Sequence, residues 1–126
     1  MADAESIVRE FCAAWSRLDA DELTGYFTDD AVYHNMPLAP LNGREEIRTF
    51  LAGFLAGVTF AEFEILHIVS DGDLVMTERV DHFTMGGREI GMPVSGTFEL
   101  RDGKIAAWRD YFDMAAVTAF LTGGAD

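Results

Sequence analysis

The stretch Asp73 to Phe112, DLVMTERVDHFTMGGREIGMPVSGTFELRDGKIAAWRDYF, decides the fold. It reads as three β-runs, Asp73–Met85, Arg88–Arg101 and Lys104–Phe112, divided by Gly86-Gly87 and Asp102-Gly103. Connections this short and containing glycine are hairpin turns, so consecutive runs pair antiparallel. A fourth run, Phe63–Val69, joins ahead of Ser70-Asp71-Gly72 and completes a four-stranded meander. Strands of ten or more residues exceed the usual length and must twist, and Pro93 with Gly91 and Gly96 predicts a bend or bulge there.

Upstream of the meander the period changes. Ile7, Val8, Phe11, Trp15 and Leu18 recur at three- and four-residue spacing, the apolar stripe of a first helix that covers a sheet. Asp19 with Glu22 three residues later has capping-box spacing, opening a short helix with Leu23, Tyr26 and Phe27 inward and ending at Thr28-Asp29-Asp30. Ala31–Met36 reads as one early strand, Pro37 and Pro40 make a loop, and Asn42-Gly43 starts a third helix with Ile47, Phe50, Leu51 and Phe54 buried. Ala115, Ala116, Val117, Phe120 and Leu121 form a last helical segment before a loose Gly123-Gly124 tail. The class is therefore α+β: a curved, mixed but mainly antiparallel sheet, wrapped by N-terminal helices into a cone around an apolar pocket, with residues 1–126 as one domain.

The 126 residues, 49% hydrophobic and 12% aromatic, suffice for one substantial core. With 22 acidic against 9 basic residues the net charge is −13, which repels phosphate backbones and anionic membrane surfaces, so nucleic acid and membrane are not expected partners. No apolar run approaches the roughly 18 residues of a membrane span, and the acidic start Met1-Ala2-Asp3-Ala4-Glu5 is unlike a signal peptide. Cys12 is the single cysteine, so no internal disulfide forms, no Cys/His cluster has zinc spacing, and a cytoplasmic protein is expected.

Three triplets carry the chemistry: Tyr33-His34-Asn35, Arg79-Val80-Asp81 and Trp108-Arg109-Asp110. Residues two apart on a strand share a face, so neighbouring strands would bring Tyr33, Asn35, Arg79, Asp81, Trp108 and Asp110 into one pocket. One cation cannot neutralise two buried carboxylates, so the pair shares a proton or the pocket stays wet. Placing Arg79 and Asp81 among the apolar neighbours Val75 and Phe83 makes sense only if they are paired. Met92, Val94 and Phe98 complete a greasy wall suited to a small, mostly apolar ligand with one polar atom.

As a set these residues, with the Pro loop and the Gly43-Arg44-Glu45-Glu46-Ile47 helix start, resemble the limonene-1,2-epoxide hydrolase family, a branch of the nuclear-transport-factor-2-like and SnoaL-like cone folds. The resemblance spans nearly the whole chain. It implies a cofactor-independent epoxide hydrolase that adds water to a small apolar epoxide, cyclic or aryl, to give a vicinal diol. Tyr33, Asn35 and Asp110 match the family's water-positioning residues, Asp81 its acid, Arg79 its bridging arginine and Trp108 its pocket tryptophan. The implied pocket walls are Phe54, Val58, Phe83, Met92, Val94 and Phe112. No metal or organic cofactor is called for, and pairing through the open sheet face into a homodimer is expected, with Ile105 and Tyr111 beside Arg109 on that face. Opening an epoxide needs a base for the water and an acid for the departing oxygen, roles assigned to Asp110 and Asp81.

Two other functions use the same cone. A ketosteroid-isomerase-like or polyketide-cyclase-like enzyme would need a neutral Asp as oxyanion donor, which Arg79 bonded to both carboxylates opposes. A non-catalytic ligand-binding domain would leave two carboxylates unexplained in an apolar pocket. Taken alone, Arg79 with one Asp is more often a structural ion pair, Trp108 is equally well core, and Asn35 could face solvent on an edge strand. His34, His67 and His82 lack partner spacing and receive no role, and Cys12 reads as a small buried hydrophobe.

Overall fold

A computed structural model describes residues 3–122. Its elements run α1 (Ala4–Ala14), a 3-10 turn (Trp15–Arg17), α2 (Ala20–Thr24), β1 (Phe27–Asn35), β2 (Leu41–Asn42), α3 (Arg44–Leu55), β3 (Val58–Asp71), β4 (Leu74–Met85), β5 (Arg88–Arg101), β6 (Lys104–Tyr111) and α4 (Met114–Leu121). The six strands form one curved sheet in the order β2-β1-β6-β5-β4-β3. β3 to β6 are the expected antiparallel meander, and β1 lies parallel to β6. The expected Gly123-Gly124 tail lies outside the described residues.

Helices α1 and α2 start where side chains satisfy their first N–H groups. Asp3 accepts from Ser6 N at 2.8 Å, and Asp19 accepts from Asp21 N and Glu22 N at 3.0 and 3.1 Å. The reciprocal half of the α2 box does not form, because the Glu22 carboxylate instead takes Arg17 at 2.6 Å. α1 ends earlier than its apolar stripe: Leu18 turns left-handed at φ 56° after the 3-10 turn. Phe11 and Trp15 nevertheless enter the core, where Phe11 meets Phe27, Phe98 and Trp108 edge-on. Trp15 stacks on Phe63 at 4.4 Å between centroids.

Several boundaries differ from the sequence reading. Phe27 and the Thr28-Asp29-Asp30 run belong to β1 rather than to the second helix and its end, and an irregularity between Phe27 and Val32 absorbs the polar residues. β3 begins at Val58 and ends at Asp71, well beyond Phe63–Val69, since pairing with β4, kept through register shifts at Val58/Phe60 and Ile65/His67, overrides its polar Glu62 and Glu64. The two-residue β2 was not foreseen. No bulge falls at Gly91–Gly96: β4 and β5 pair without a break from Leu74–Glu99 to Met85–Arg88. Pro93 lies beyond the last β5 residue paired with β6, Ser95, so its missing N–H costs no ladder bond there. The break comes instead between Glu99 and Leu100, where β6 carries an extra residue at Ala106. That bulge inverts the alternation, so Ile105, expected on the outer face, is fully buried with Trp108.

Candidate active site

Arg79, Asp81 and Asp110 are 1, 2 and 3% exposed, with their side chains on the concave face of the sheet. Arg79 and Asp81 point the same way from β4. Asp110 reaches the same space from β6, two strands away, because Thr77 pairs with Gly96 and Gly96 with Asp110. The guanidinium lies between the carboxylates and uses all five of its N–H groups. Nε and Nη2 donate to Asp81 Oδ1 and Oδ2 at 3.0 and 2.8 Å. Nη2 and Nη1 donate to Asp110 Oδ2 and Oδ1 at 2.8 and 3.2 Å. The remaining Nη1 hydrogen goes to Thr77 Oγ1 at 3.1 Å, and the Thr77 hydroxyl donates to the Gly96 carbonyl at 3.2 Å. The Phe63 ring lies 4.8 Å from the guanidinium carbon and adds a cation–π contact.

Electrostatics separates the three groups. Burial opposes the charge on Arg79, yet Asp110 and Asp81 more than compensate and hold it well above its ordinary value. Burial pushes the Asp81 carboxyl up to about 6, against the lowering pull of Arg79. Two carboxylates and one guanidinium leave one negative charge in excess, and a proton on Asp81 removes it.

Tyr33 and Asn35 arrive on β1, beside β6. Tyr33 pairs with Trp108 and Asn35 with Asp110, and the Met36 N–H donates to the Asp110 carbonyl at 2.9 Å to hold the strand end in place. The Tyr33 hydroxyl donates to Asn35 Oδ1 at 3.1 Å. Burial, helped by the Asp110 charge, raises the phenol far above its usual range, so Tyr33 works as a neutral hydroxyl.

These groups border a cavity of about 160 Å³. Of the expected walls, Phe54, Phe83, Met92 and Phe112 line it, together with Tyr33, Asn35, Asp81 and Asp110. Trp108, Val58, Val94 and Phe98 are buried but do not border it. Trp108 is sandwiched between Tyr33 at 4.2 Å and Phe98 at 5.2 Å, and its Nε1 donates to Asp110 Oδ1 at 2.6 Å. It is therefore a support for the carboxylate and not a wall. Val58 sits at the start of β3 against Met85, and Val94 is the cross-strand partner of Arg79. The sequence reading missed Trp15, Leu38, Phe50, Phe63 and Ile90 as walls, and it missed that α4 closes the cavity with Met114, Val117, Phe120 and Leu121. The apolar run of α4 was the available signal. Cys12 is buried, which pushes its thiol up to about 12 and makes it no nucleophile.

A family profile described as the limonene-1,2-epoxide hydrolase catalytic domain matches residues 2–121. The chain belongs to that family. Over 107 residues it is 36% identical to the epoxide hydrolase EphG of Mycobacterium tuberculosis (strain ATCC 25618 / H37Rv), an alignment that takes in 85% of this chain and 71% of that protein. It also superimposes on the structure of an M. tuberculosis LEH-like epoxide hydrolase with a TM-score of 0.82 at 34% identity, covering 95% of this chain and 90% of that one. A SnoaL-like protein from Shewanella denitrificans OS-217 shares the fold alone, at 20% identity and a TM-score of 0.84 over 95% and 97% of the two chains. Membership places this epoxide hydrolase among enzymes, and the cone fold is the one its residues implied. No helix among the described residues is long and apolar enough to cross a membrane.

Proposed function

We propose that the enzyme adds water to a small, mostly apolar epoxide, cyclic or aryl, in one step and releases a vicinal diol. The observation that carries this reading is Arg79 bonded from behind to both Asp81 and Asp110, which border a cavity lined mostly by apolar side chains, with Tyr33 and Asn35 beside Asp110. Asp110 is the base. Its Oδ2 carries one contact, from Arg79, and keeps a lone pair for a proton of water. The Tyr33 hydroxyl gives its proton to Asn35, so its oxygen accepts the second water proton while the Asn35 amide N–H donates to the water oxygen. One lone pair of that oxygen is left to attack an epoxide carbon.

Asp81 is the acid, supplying its proton to the ring oxygen as the carbon–oxygen bond breaks. Atoms balance: water gives a hydroxyl to carbon and a proton to Asp110, and Asp81 gives a proton to the departing oxygen. Transfer from Asp110 back to Asp81 restores the starting state, and no side chain becomes covalently attached. Arg79 holds the two carboxylates at a fixed separation while their charges exchange. Single turnover in water enriched in heavy oxygen tests the step: the label belongs in the diol, and label in an Asp side chain refutes it.

Burial of Cys12 as a free thiol supports a cytoplasmic location. Phe60, Leu66, Val69, Met76 and Tyr111 are exposed on the strands, and this supports a homodimer formed through the sheet. Sedimentation gives the oligomeric state.

A further inference from the structure

Arg79 can bridge the two carboxylates only because of what lies between β4 and β6. Gly96 occupies the middle of a cross-strand row, with Thr77 on one side and Asp110 on the other, and the guanidinium passes over it. A Cβ built on Gly96 would collide with Arg79 Nη1, and would lie 2.5 Å from Asp110 Oδ1 and 3.2 Å from Thr77 Oγ1. Glycine at 96 is thus required by the passage of a side chain over the backbone and not by a turn.

Thr77 closes the other side. With four guanidinium hydrogens taken by carboxylate oxygens, the fifth would be an orphan in a dry interior without Thr77 Oγ1. The threonine is itself oriented by donating to the Gly96 carbonyl, so its lone pair can only face Nη1. Thr77 is buried and does not border the cavity, and its side-chain hydrogen bonds run to Arg79 and to the Gly96 carbonyl.

We propose that Thr77 and Gly96 are positioning residues that together form a seat for the Arg79 guanidinium, fixing its plane so that Asp81 and Asp110 are bridged at the same time. This rests on the acid–base reading for its effect on turnover, but not for its effect on Arg79. Three variants test it: Thr77→Val, which keeps the shape and removes the acceptor, Thr77→Ser, which restores the acceptor, and Gly96→Ala, which fills the passage. Thr77→Val should lower kcat roughly tenfold, the effect of losing one hydrogen bond to a charged group, with KM within about twofold. Thr77→Ser should recover kcat to within about threefold. Gly96→Ala, where it folds, should lose more than Thr77→Val.

The companion measurement needs no substrate. In ¹⁵N spectra the Arg79 Nη–H resonances should be resolved in the native protein and in Thr77→Ser, and in Thr77→Val, where the four carboxylate bonds remain, the Nη1–H that loses its acceptor should shift and exchange faster with solvent. Absence of any epoxide turnover in the native protein would refute the hydrolase mechanism and leave this measurement standing. A Thr77→Val protein whose Nη1–H shift and exchange rate match the native values overturns the seat, whatever its turnover, and so does a Thr77→Ser protein as impaired as Thr77→Val.

Discussion

Trp108 and Asp110, two residues apart on β6, are joined by a hydrogen bond of 2.6 Å from the indole Nε1 to carboxylate Oδ1. The bond leaves Oδ2 as the oxygen free to turn toward water. Trp108→Phe keeps the stack between Tyr33 and Phe98 and removes the donor. A hydrogen bond to a charged group is worth roughly 1.5–3 kcal/mol, so kcat/KM should fall roughly 10- to 100-fold, and the lost donor and smaller ring should lower thermal stability as well. Equal activity of the two proteins on an epoxide that the native enzyme turns over would contradict this role.

Asp81→Asn and Asp110→Asn should each reduce kcat by about 10²- to 10⁴-fold, the range for a general acid or base. Each amide keeps the shape and one oxygen that accepts from Arg79, while its Nδ2 sets a donor against a guanidinium N–H, so circular dichroism checks that the fold survives. Their double variant should be little worse than either single one, because the two groups act as a unit.

The pH dependence follows from Asp81. Its carboxyl sits at about 6 when folded against 3.8 ordinarily, so the native state binds this proton more tightly than the unfolded chain. Its contribution to stability is fully present below pH 3.8 and is lost as pH rises through about 6. Native protein should therefore lose stability relative to Asp81→Asn across that window, as read by urea unfolding at a series of pH values. The acid must also be protonated to act, so kcat/KM should fall about tenfold per pH unit above that pKa. A profile flat from pH 5 to 9 rules Asp81 out as the acid.

Arg79→Ala leaves two carboxylates facing each other in a dry site. Removing one member of a buried ion pair costs about 3–5 kcal/mol, so the urea midpoint should drop sharply and activity should vanish. Arg79→Lys should rescue part of the stability and little of the activity, since an ammonium cannot supply the flat five-donor fork.

Phe54 lines the cavity and meets Phe83 edge-on at 5.1 Å. Phe54→Ala opens that wall. The ratio of kcat/KM for a bicyclic epoxide over a monocyclic one should rise roughly tenfold, as expected for hydrophobic pocket contacts. An unchanged ratio would show that Phe54 does not meet the substrate.

Much of this was written in the alternation of β4. Thr77, Arg79, Asp81 and Phe83 share one face by spacing alone, and the hairpin turns at Gly86-Gly87 and Asp102-Gly103 fix which strands they meet. The purpose of Gly96 was not legible, because a glycine in a strand reads as a bend until the side chain passing over it is known. Ile105 was assigned to the wrong face since a bulge leaves no mark in a two-residue period. The closing role of α4 was hidden for another reason: a helix apolar on most sides does not reveal what it covers, and the cavity it seals exists only in three dimensions.

The parallel pairing of β1 with β6 has a consequence for assembly. β3 to β6 can zip together through local hairpins, and that alone brings the cation and both acids onto one another. Tyr33 and Asn35 come from the far end of the chain order, and their strand must dock alongside the last one made. Such long-range closure is slow compared with hairpin formation. Reactivity is then the final property the folding chain acquires, and a molecule with its first strand detached would carry an intact ion trio and remain inert.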